Sequence, residues 1–334
     1  FGALGLWIGV GGPMPDILGW LMPAAAALLA VTTVNRLRAA LAETAPVPSA
    51  ASALPAAGAA AATQPAAAAR PAGRPLEERR FATHDGLDLF YRRWPATTPE
   101  RRGLVVLLHR GHEHSGRMAH LADELDLPEF DIVAWDARGH GLSPGPRGWS
   151  PSFGTTVRDL QTFVDHLRVT HGVDTADIAL VAQSVGAVVA ATWVHDTAPR
   201  IRALVLASPA FSIKLYVPFA RAGLSLLHRL RGEFFVNSYV KPRWLTHDTE
   251  RQASYAADPL VTRPIAVHVL LDLFKAGGRV VEDAQAITVP TQLLISGSDL
   301  VVHRAPQHRF FERLGSAVKE RHVLPGFYHD TLGE

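Results

Sequence analysis

One serine, Ser184, stands between the sequence pattern of a buried strand and the pattern of a helix. Residues 178–181 form an apolar run, and residues 187–194 are mostly small and apolar. A strand, a sharp turn and a helix around one serine are typical of a nucleophile elbow, G-x-S-x-G, whose small flanking residues let strand and helix approach closely. Ala182 and Gly186 fill the two small positions, so the first departs from the usual glycine. The stretch predicts that Ser184 is a nucleophile at the carboxyl end of a strand.

Strand and helix patterns alternate along the chain from about residue 76. The predicted strands are residues 77–83, 87–94, 103–108, 130–135, 178–181, 201–207, 291–295 and 321–324. The predicted helices are residues 118–125, 153–170, 187–194 and 306–314. Alternation of this kind predicts an α/β fold with a mostly parallel, doubly wound sheet.

A long segment, residues 211–287, interrupts the alternation between two late strands and is predicted to be a helical cap. Within it, residues 214–231 place leucines and a phenylalanine among lysine, arginine and histidine. This pattern predicts a basic amphipathic helix, which suits an anionic membrane surface. A cap helix that simply packs on the sheet is the alternative. Phe234, Phe235 and Val236 follow this helix and are candidates for lining an acyl tunnel.

Two later residues have the positions that a serine nucleophile requires of its partners. In strand–elbow–helix enzymes the acid follows a late strand, and the histidine follows the last one. Asp299 comes after the strand pattern at 291–295, and His329 comes after the last predicted strand. Asp330 and Asp283 are rival acids, but Asp330 adjoins the histidine, so its carboxylate should point away from the ring. The order predicts the catalytic residues Ser184, Asp299 and His329.

Acyl transfer also needs N–H donors for the developing oxyanion. The backbone N–H of Val185, directly after the nucleophile, is the first predicted donor. The second is expected from the loop after strand 103–108, where Gly111 is favoured and Arg110 is the alternative.

The same loop, residues 109–117, contains three histidines and a glutamate, which invites a metal-site interpretation. Their spacing fits neither H-E-x-x-H nor H-x-x-E-H. The sequence therefore predicts no metal and no other cofactor, and it predicts that this loop and the loop at 136–143 brace the catalytic edge. The chain has no cysteine, so it offers no thiol nucleophile. Its net charge is only +2 and it has no basic tract, which gives no case for nucleic-acid binding.

The first part of the chain has a different character. Residues 1–42 are hydrophobic, and residues 17–34 are an uncharged run long enough to span a bilayer, followed by Arg36 and Arg38. A signal peptide would need a basic segment ahead of the apolar run, which is absent here. Residues 43–75, rich in alanine and proline, are predicted to be a disordered linker. The arrangement predicts a catalytic domain, 76–334, at the cytoplasmic face of a membrane.

Taken together, the motifs of residues 76–334 resemble the monoacylglycerol lipase and lysophospholipase branch of the α/β-hydrolases. The resemblance rests on the loops at 109–117 and 136–143, the elbow at Ser184, the acid loop at 296–302 and the histidine loop at 325–330. It implies a helical lid and hydrolysis of acyl esters without a metal. The Arg-Gly-His sequence at 110–112 replaces a smaller, glycine-rich loop. The variant loop also resembles bacterial proteins in which such a hydrolase is fused to a methyltransferase.

The expected activity is therefore serine ester hydrolysis through an acyl-enzyme, on lysophospholipid or monoacylglycerol. Two alternatives remain open. The same triad would serve an acyltransferase, and a catalytically silent, membrane-associated binding module would keep the fold without the activity. For residues 1–42, which resemble the last membrane helix of a CDP-alcohol phosphatidyltransferase, a lipid-synthesis role would leave the remaining domain unexplained.

Overall fold

The computed structural model describes residues 73–334, and the predicted membrane span at 17–34 lies outside them. The predicted linker, 43–75, also lies outside them except for its last three residues. Among these, Arg74 already donates to the carbonyl of Phe130 at 2.8 Å. Within residues 73–334, no helix is both long enough and apolar enough to cross a bilayer.

The strands of the described region form one large sheet and one small one. They are β1 Glu77–Ala82, β2 Asp88–Trp94, β3 Gly103–Leu108, β4 Phe130–Trp135, β5 Ile178–Gln183, β6 Ala203–Ala207, β7 Phe235–Asn237, β8 Pro264–Ala266, β9 Thr291–Ser296 and β10 Lys319–Leu324.

The large sheet has eight strands in the order β1-β2-β4-β3-β5-β6-β9-β10. The first two strands pair antiparallel and β2 is antiparallel to β4, whereas the other neighbours run parallel. Every residue of β3 and β4 is buried, because helices cover both faces of the sheet. The predicted α/β class with a mostly parallel, doubly wound sheet is confirmed. Parallel strands also bring the loops after β3, β5, β9 and β10 to one edge.

The helices flank this sheet on both sides. They are α1 Leu121–Glu124, α2 Phe153–His171, α3 Val185–Thr197, α4 Ala220–Arg231, α5 Thr249–Ala257, α6 Val267–Glu282 and α7 Arg304–Arg313. The predicted helix at 118–125 is shorter than expected, because a 3-10 turn, Ser115–Met118, comes before α1. In contrast, α2 has the expected bounds to within a residue: Ser152 accepts from the N–H of Thr155, and Gly172 ends the helix at a φ of 60°.

The inserted segment at 211–287 contains α4, α5 and α6, as expected of a helical cap, and also two short strands. β7 and β8 pair as a small antiparallel sheet within it. In addition, α6 packs into the main core through Leu273, Val280 and Val281. A Cβ added to Gly277 would lie 2.7 Å from the carbonyl oxygen of Phe211, so α6 lies directly against the start of the segment. The last helix of the segment is therefore part of the main core.

The predicted basic amphipathic helix begins later than the pattern at 214–231 indicated. Tyr216 and Phe219 have φ values of 39° and 57°, which no helix accommodates, and α4 starts at Ala220. The amphipathic character is present: Leu224 and Leu227 pack against a small apolar cluster of the cap. The opposite face exposes apolar and basic side chains, including Phe219, Leu226, Arg229, Leu230 and Arg231.

Candidate active site

Ser184 lies in a strained turn between β5 and α3. Its φ and ψ are 55° and −114°, a combination that few residues adopt and that is characteristic of functional turns. The turn is held by hydrogen bonds, since the N–H of Ser184 donates to Ala207 at 2.9 Å and its carbonyl accepts from Ala210 at 3.0 Å. A Cβ added to Gly186 would lie 2.5 Å from the carbonyl oxygen of His109, so strand and helix leave room only for glycine. The stretch around Ser184 thus has the geometry of a nucleophile elbow.

The structure brings the three predicted catalytic residues together in one hydrogen-bonded row. His329 Nε2 lies 2.8 Å from Ser184 Oγ, and His329 Nδ1 lies 2.8 Å from Asp299 Oδ2. All three side chains are buried. The row is the arrangement in which an imidazole takes the serine proton while the carboxylate holds the opposite ring nitrogen.

Asp299 is kept ionised by its surroundings. Burial alone would raise the pKa of its carboxyl, but the neighbouring His329 ring and two backbone N–H groups hold the pKa below its usual range. Those N–H groups belong to Val301 and Val302, at 2.7 and 2.9 Å from Oδ1. The loop after β9 therefore orients the carboxylate as well as carrying it.

The two rival acids lie elsewhere. Asp330 turns away from the imidazole, as expected, and its Oδ2 lies 3.3 Å from Arg110 Nη2 and 3.4 Å from Arg251 Nη2. Asp283 pairs with His195 at 2.9 Å. Neither carboxylate is placed to orient His329.

The two predicted oxyanion donors lie side by side. Val185 is the first residue of α3, and the first N–H groups of a helix have no acceptor within it. A Cβ added to Gly111 would lie 3.0 Å from Cγ2 of Val185, so the backbone of Gly111 lies against the side chain of Val185. Both residues line the cavity together with Ser184.

His109 fixes the direction of the Gly111 N–H. The backbone N–H of Ala137 can only donate, so His109 Nε2, 3.0 Å away, is the acceptor and Nδ1 carries the proton. Nδ1 then donates to the carbonyl of Arg110 at 2.7 Å. Burial lowers the pKa of His109, which keeps this ring neutral. Because the C=O and N–H of one trans peptide point in opposite directions, the Gly111 N–H points away from His109.

The histidine-rich loop does not direct its side chains to a common point. His109 is bonded to the backbone, and Glu113 accepts from Arg110 Nε at 2.7 Å. His114 Nε2 lies 2.9 Å from Asp258 Oδ2. The carboxylate and these two rings thus stabilise loop contacts, in agreement with the bracing role predicted for the loop.

In the described part of the chain, one other group has potential metal-ligand atoms close together, His84, Asp85 and Asp159. Arg138 already donates to both carboxylates, at 2.8 Å to Asp85 and 2.8 Å to Asp159. The loop at 136–143 is thereby tied to the body of the domain. A guanidinium in this place leaves the two acids little capacity for a cation.

A cavity of about 320 Å³ opens beside the catalytic row, between the sheet edge and the inserted segment. Ser184, His329 and Gly111 lie at its wall. Most of the remaining wall is apolar and comes from both the core and the cap, including Val189, Ile213, Leu215, Val217, Leu224, Val236 and Leu273. Of the predicted tunnel residues at 234–236, Val236 lines the cavity, whereas Phe234 is buried in the small cap cluster.

The inserted segment is fastened to two catalytic loops. On the acid loop, the N–H of His303 donates to Ser212 at 2.8 Å, and Lys214 Nζ donates to the carbonyl of Asp299 at 2.6 Å. On the oxyanion loop, the carbonyl of His112 accepts from Thr262 at 2.9 Å. The roof of the cavity is thus held at both ends by loops that carry reacting groups.

Gln183 is a site residue that the sequence analysis overlooked. Its Nε2 donates to the backbone carbonyl of His329 at 2.9 Å and lies 3.4 Å from Asp330 Oδ1. Its position directly before Ser184 was the available signal, because the residue before an elbow serine lies at the carboxyl edge of the sheet with it.

Comparisons with known proteins agree with this geometry. Residues 99–334 match the family model described as "Serine aminopeptidase, S33". The chain is 61% identical over 257 residues to the uncharacterized protein YnbC of Escherichia coli (strain K12), covering 77% of this chain and 44% of that protein. It therefore spans under half the length of that relative.

Relatives of similar length to the catalytic domain have assigned activities. The monoacylglycerol lipase of Mycolicibacterium smegmatis is 28% identical over 265 residues, covering 77% of this chain and 91% of that protein. The crystal structure of the Paleococcus ferrophilus monoacylglycerol lipase superposes with a TM-score of 0.62 at 26% identity, covering 76% of this chain and 90% of that one. The chain therefore belongs to the S33 family of α/β-hydrolases, as its motifs predicted, and is similar to the monoacylglycerol lipases of that fold.

Proposed function

We propose that the chain hydrolyses acyl esters of single-chain glycerolipids, monoacylglycerol or lysophospholipid, through an acyl-enzyme on Ser184. The observation that carries the proposal is the row Ser184–His329–Asp299, with 2.8 Å between each pair, at the wall of a largely apolar cavity. Carboxylic ester hydrolysis agrees with the fold and with the lipase relatives. The single-chain lipid is the finer part of the proposal.

The chemistry follows from the contacts of the row. Ser184 Oγ attacks the ester carbonyl while His329 Nε2 takes its proton, and Asp299 stabilises the imidazolium that forms. The N–H groups of Val185 and Gly111 donate to the oxyanion of the tetrahedral intermediate. His329 then returns the proton to the leaving alcohol. Water, deprotonated by the same imidazole, releases the fatty acid and regenerates the serine.

The shape and lining of the cavity support a lipid acyl chain. Apolar side chains of the core and the cap form most of its wall, so an acyl group that enters it leaves water. Ser184 and His329 lie at the wall of this cavity, so an ester bound at the serine would place its acyl chain among apolar side chains. This arrangement supports an amphiphilic ester as substrate.

The proposal is tested with p-nitrophenyl esters of increasing chain length, beside monoacylglycerol and lysophospholipid, on the wild type and on Ser184→Ala. We expect hydrolysis by the wild type, with a preference for longer acyl groups, and background rates for the variant. A folded wild type that cleaves no ester and does not react with a fluorophosphonate probe would instead favour a silent binding module. If added glycerol or lysolipid were acylated faster than water, the chain would be an acyltransferase.

The proposal includes a membrane surface as the place where substrate is met. The outward face of α4 carries Leu226 and Leu230 beside Arg229 and Arg231, a combination that binds anionic bilayers. The apolar run at 17–34 and the arginines after it support an attachment that leaves the catalytic domain on the cytoplasmic side. Protease protection in cells with an intact inner membrane tests this side directly.

A further inference from the structure

Arg110 stands where the family loop has a small residue, and its side chain is buried beneath the active site. The side chain is 5% exposed and lies between Glu113 of its own loop and Asp330 of the histidine loop. A guanidinium this deeply buried costs several kcal/mol unless carboxylates pair with it. Arg110 is therefore held by its partners, and the partners are held by it.

The contacts of the guanidinium join three parts of the site. Nε and Nη2 both donate to the Glu113 carboxylate, and Nη2 lies 3.3 Å from Asp330 Oδ2. Cζ lies 5.9 Å from the centre of the Tyr255 ring, on α5 of the inserted segment. Arg117 faces the same ring at 5.5 Å and lies 3.7 Å from Glu113. The oxyanion loop, the histidine loop and the cap thus meet at one planar group.

Asp330 joins the Arg110 guanidinium to the backbone of the catalytic histidine. It follows His329 in the chain, and Gln183 holds the carbonyl of His329 from the other side at 2.9 Å. Burial opposes ionisation of Asp330, but Arg110 and Arg251 hold the pKa of its carboxyl below the usual range. The carboxylate is therefore charged and available to the guanidinium.

The backbone of Arg110 joins the same residue to the oxyanion donor. Its carbonyl accepts from His109 Nδ1 at 2.7 Å, and this bond sets the direction of the Gly111 N–H. The guanidinium that pairs with Asp330 and the peptide that presents the Gly111 N–H therefore belong to one residue. One residue thus influences both the oxyanion donor and the general base.

We propose that Arg110 is a positioning residue, which couples the oxyanion loop to the histidine loop so that the Gly111 N–H and His329 keep their places relative to Ser184. The inference rests on the proposed function. It assigns a positioning role to a buried residue that pairs with Glu113 and Asp330, although its side chain touches no reacting atom.

Arg110→Lys is the discriminating variant, because it keeps the charge but loses the planar fork that holds two carboxylates at once. Arg93→Lys is its matched control, since Arg93 also pairs with two carboxylates, Glu77 and Asp131, away from the active site. Each variant is assayed for the rate of fluorophosphonate labelling, for kcat and KM on a p-nitrophenyl ester, and for thermal unfolding.

For Arg110→Lys we expect labelling and kcat to fall by about 10- to 100-fold while KM changes by less than about threefold, because ångström-scale misplacement costs rate rather than binding. Arg93→Lys should keep wild-type kinetics at a similar unfolding temperature. When Arg110→Lys is combined with Asp330→Asn, kcat should fall by clearly less than the product of the two single falls, since both substitutions remove the Arg110–Asp330 contact.

Wild-type labelling and kcat in Arg110→Lys would overturn this proposal and leave the proposed function intact. Fully additive losses in the double variant would do the same. A wild type that is not labelled at all would overturn the proposed function itself, so the two failures are separable.

Discussion

Asp299 lies 2.8 Å from the ring of His329, whereas Asp330, the next residue after that histidine, points into a cluster of arginines. Two buried carboxylates therefore serve one histidine in different ways. The first contacts the imidazole and can fix its tautomer. The second fixes the backbone that carries it.

This difference predicts that kcat falls by unequal factors when each of the two acids is replaced by its amide. Asp299→Asn should lower kcat by about 10⁴-fold, since the amide favours the wrong imidazole tautomer. Asp330→Asn should lower kcat by no more than about 100-fold, because it disturbs only position. Steady-state kinetics on one soluble ester measure both, and equal losses would contradict the assigned roles.

Replacing the nucleophile should separate catalysis from folding. Ser184→Ala should abolish ester cleavage and fluorophosphonate labelling, with the unfolding temperature unchanged within a few degrees. Ser254→Ala, an exposed serine on α5, is the control and should label like the wild type. Labelled Ser184→Ala protein would show that another serine is the nucleophile.

Two helical glycines should respond in opposite directions to alanine. Gly186→Ala would place a methyl group 2.5 Å from the carbonyl oxygen of His109, so we expect it to lower the free energy of unfolding by about 1–3 kcal/mol or more. Gly278→Ala in α6 meets no neighbour within 4 Å and should raise it by about 0.5–1 kcal/mol. Urea unfolding of both variants tests the pair, and stabilisation by Gly186→Ala would contradict the tight elbow.

A partly buried neutral histidine, His140, predicts loss of stability in acid. Burial lowers the pKa of His140 to about 3, and its Nδ1 donates to the carbonyl of Arg138 at 3.0 Å. In the unfolded chain this histidine binds a proton at about pH 6.5, whereas in the folded chain it stays neutral down to about pH 3. The free energy of unfolding therefore falls as the pH drops from about 6.5 toward about 3.

The contribution of His140 is measured as the slope of the free energy of unfolding against pH. Each such histidine removes up to about 1.4 kcal/mol per pH unit across this window. His140→Asn should therefore lose less stability than the wild type between pH 6.5 and pH 4, whatever its stability at neutral pH. The free energy of unfolding of both proteins is measured by chemical unfolding at several pH values. If it fell equally with pH in the wild type and in His140→Asn, the low pKa of His140 would be refuted.

The outward face of α4 predicts an effect that depends on how substrate is presented. Leu226→Ser with Leu230→Ser should lower hydrolysis of lipid in anionic vesicles by at least about tenfold, because both side chains are exposed and each would gain about 1.5–3 kcal/mol from burial. Hydrolysis of p-nitrophenyl butyrate in solution should not change.

The control for this pair is Val169→Ser, which alters an exposed apolar residue on α2. It should leave both activities at the wild-type level. Equal losses on vesicles and in solution for the α4 variant would mean that the helix supports the fold rather than a membrane contact.

The sheet was predictable because burial on both faces leaves a simple signature. Gly103–Leu108 is a continuous apolar run, and Phe130–Trp135 is apolar except for Asp131. The structure has both strands at the predicted residues. The strand before Ser184 was predicted two residues short, since Ala182 and Gln183 continue β5 to the nucleophile. The order of Ser184, Asp299 and His329 follows from the topology of the parallel sheet, so the row could be proposed without coordinates.

The inserted segment was harder to predict, because its conformation depends on tertiary packing. The prediction of a helix at 214–231 did not take account of Pro218, which disfavours helix at the residue before it. The chain bends on both sides of this proline, at Tyr216 and Phe219. The contact between Arg110 and Asp330 joins residues far apart in the sequence and has no local pattern. Only the fold brings that pair together.

The anchors of the inserted segment have a consequence for how such a protein can change its substrate. Ser212 and Lys214 secure one end to the acid loop, and Thr262 secures the other to the oxyanion loop. The stretch between them forms the roof and contributes none of the three residues of the catalytic row. It does carry Arg251 and Tyr255, which contact Asp330 and the Arg110 guanidinium. A transplanted roof can therefore bring a new acyl preference to the same chemistry only if it keeps these two contacts together with the three anchors.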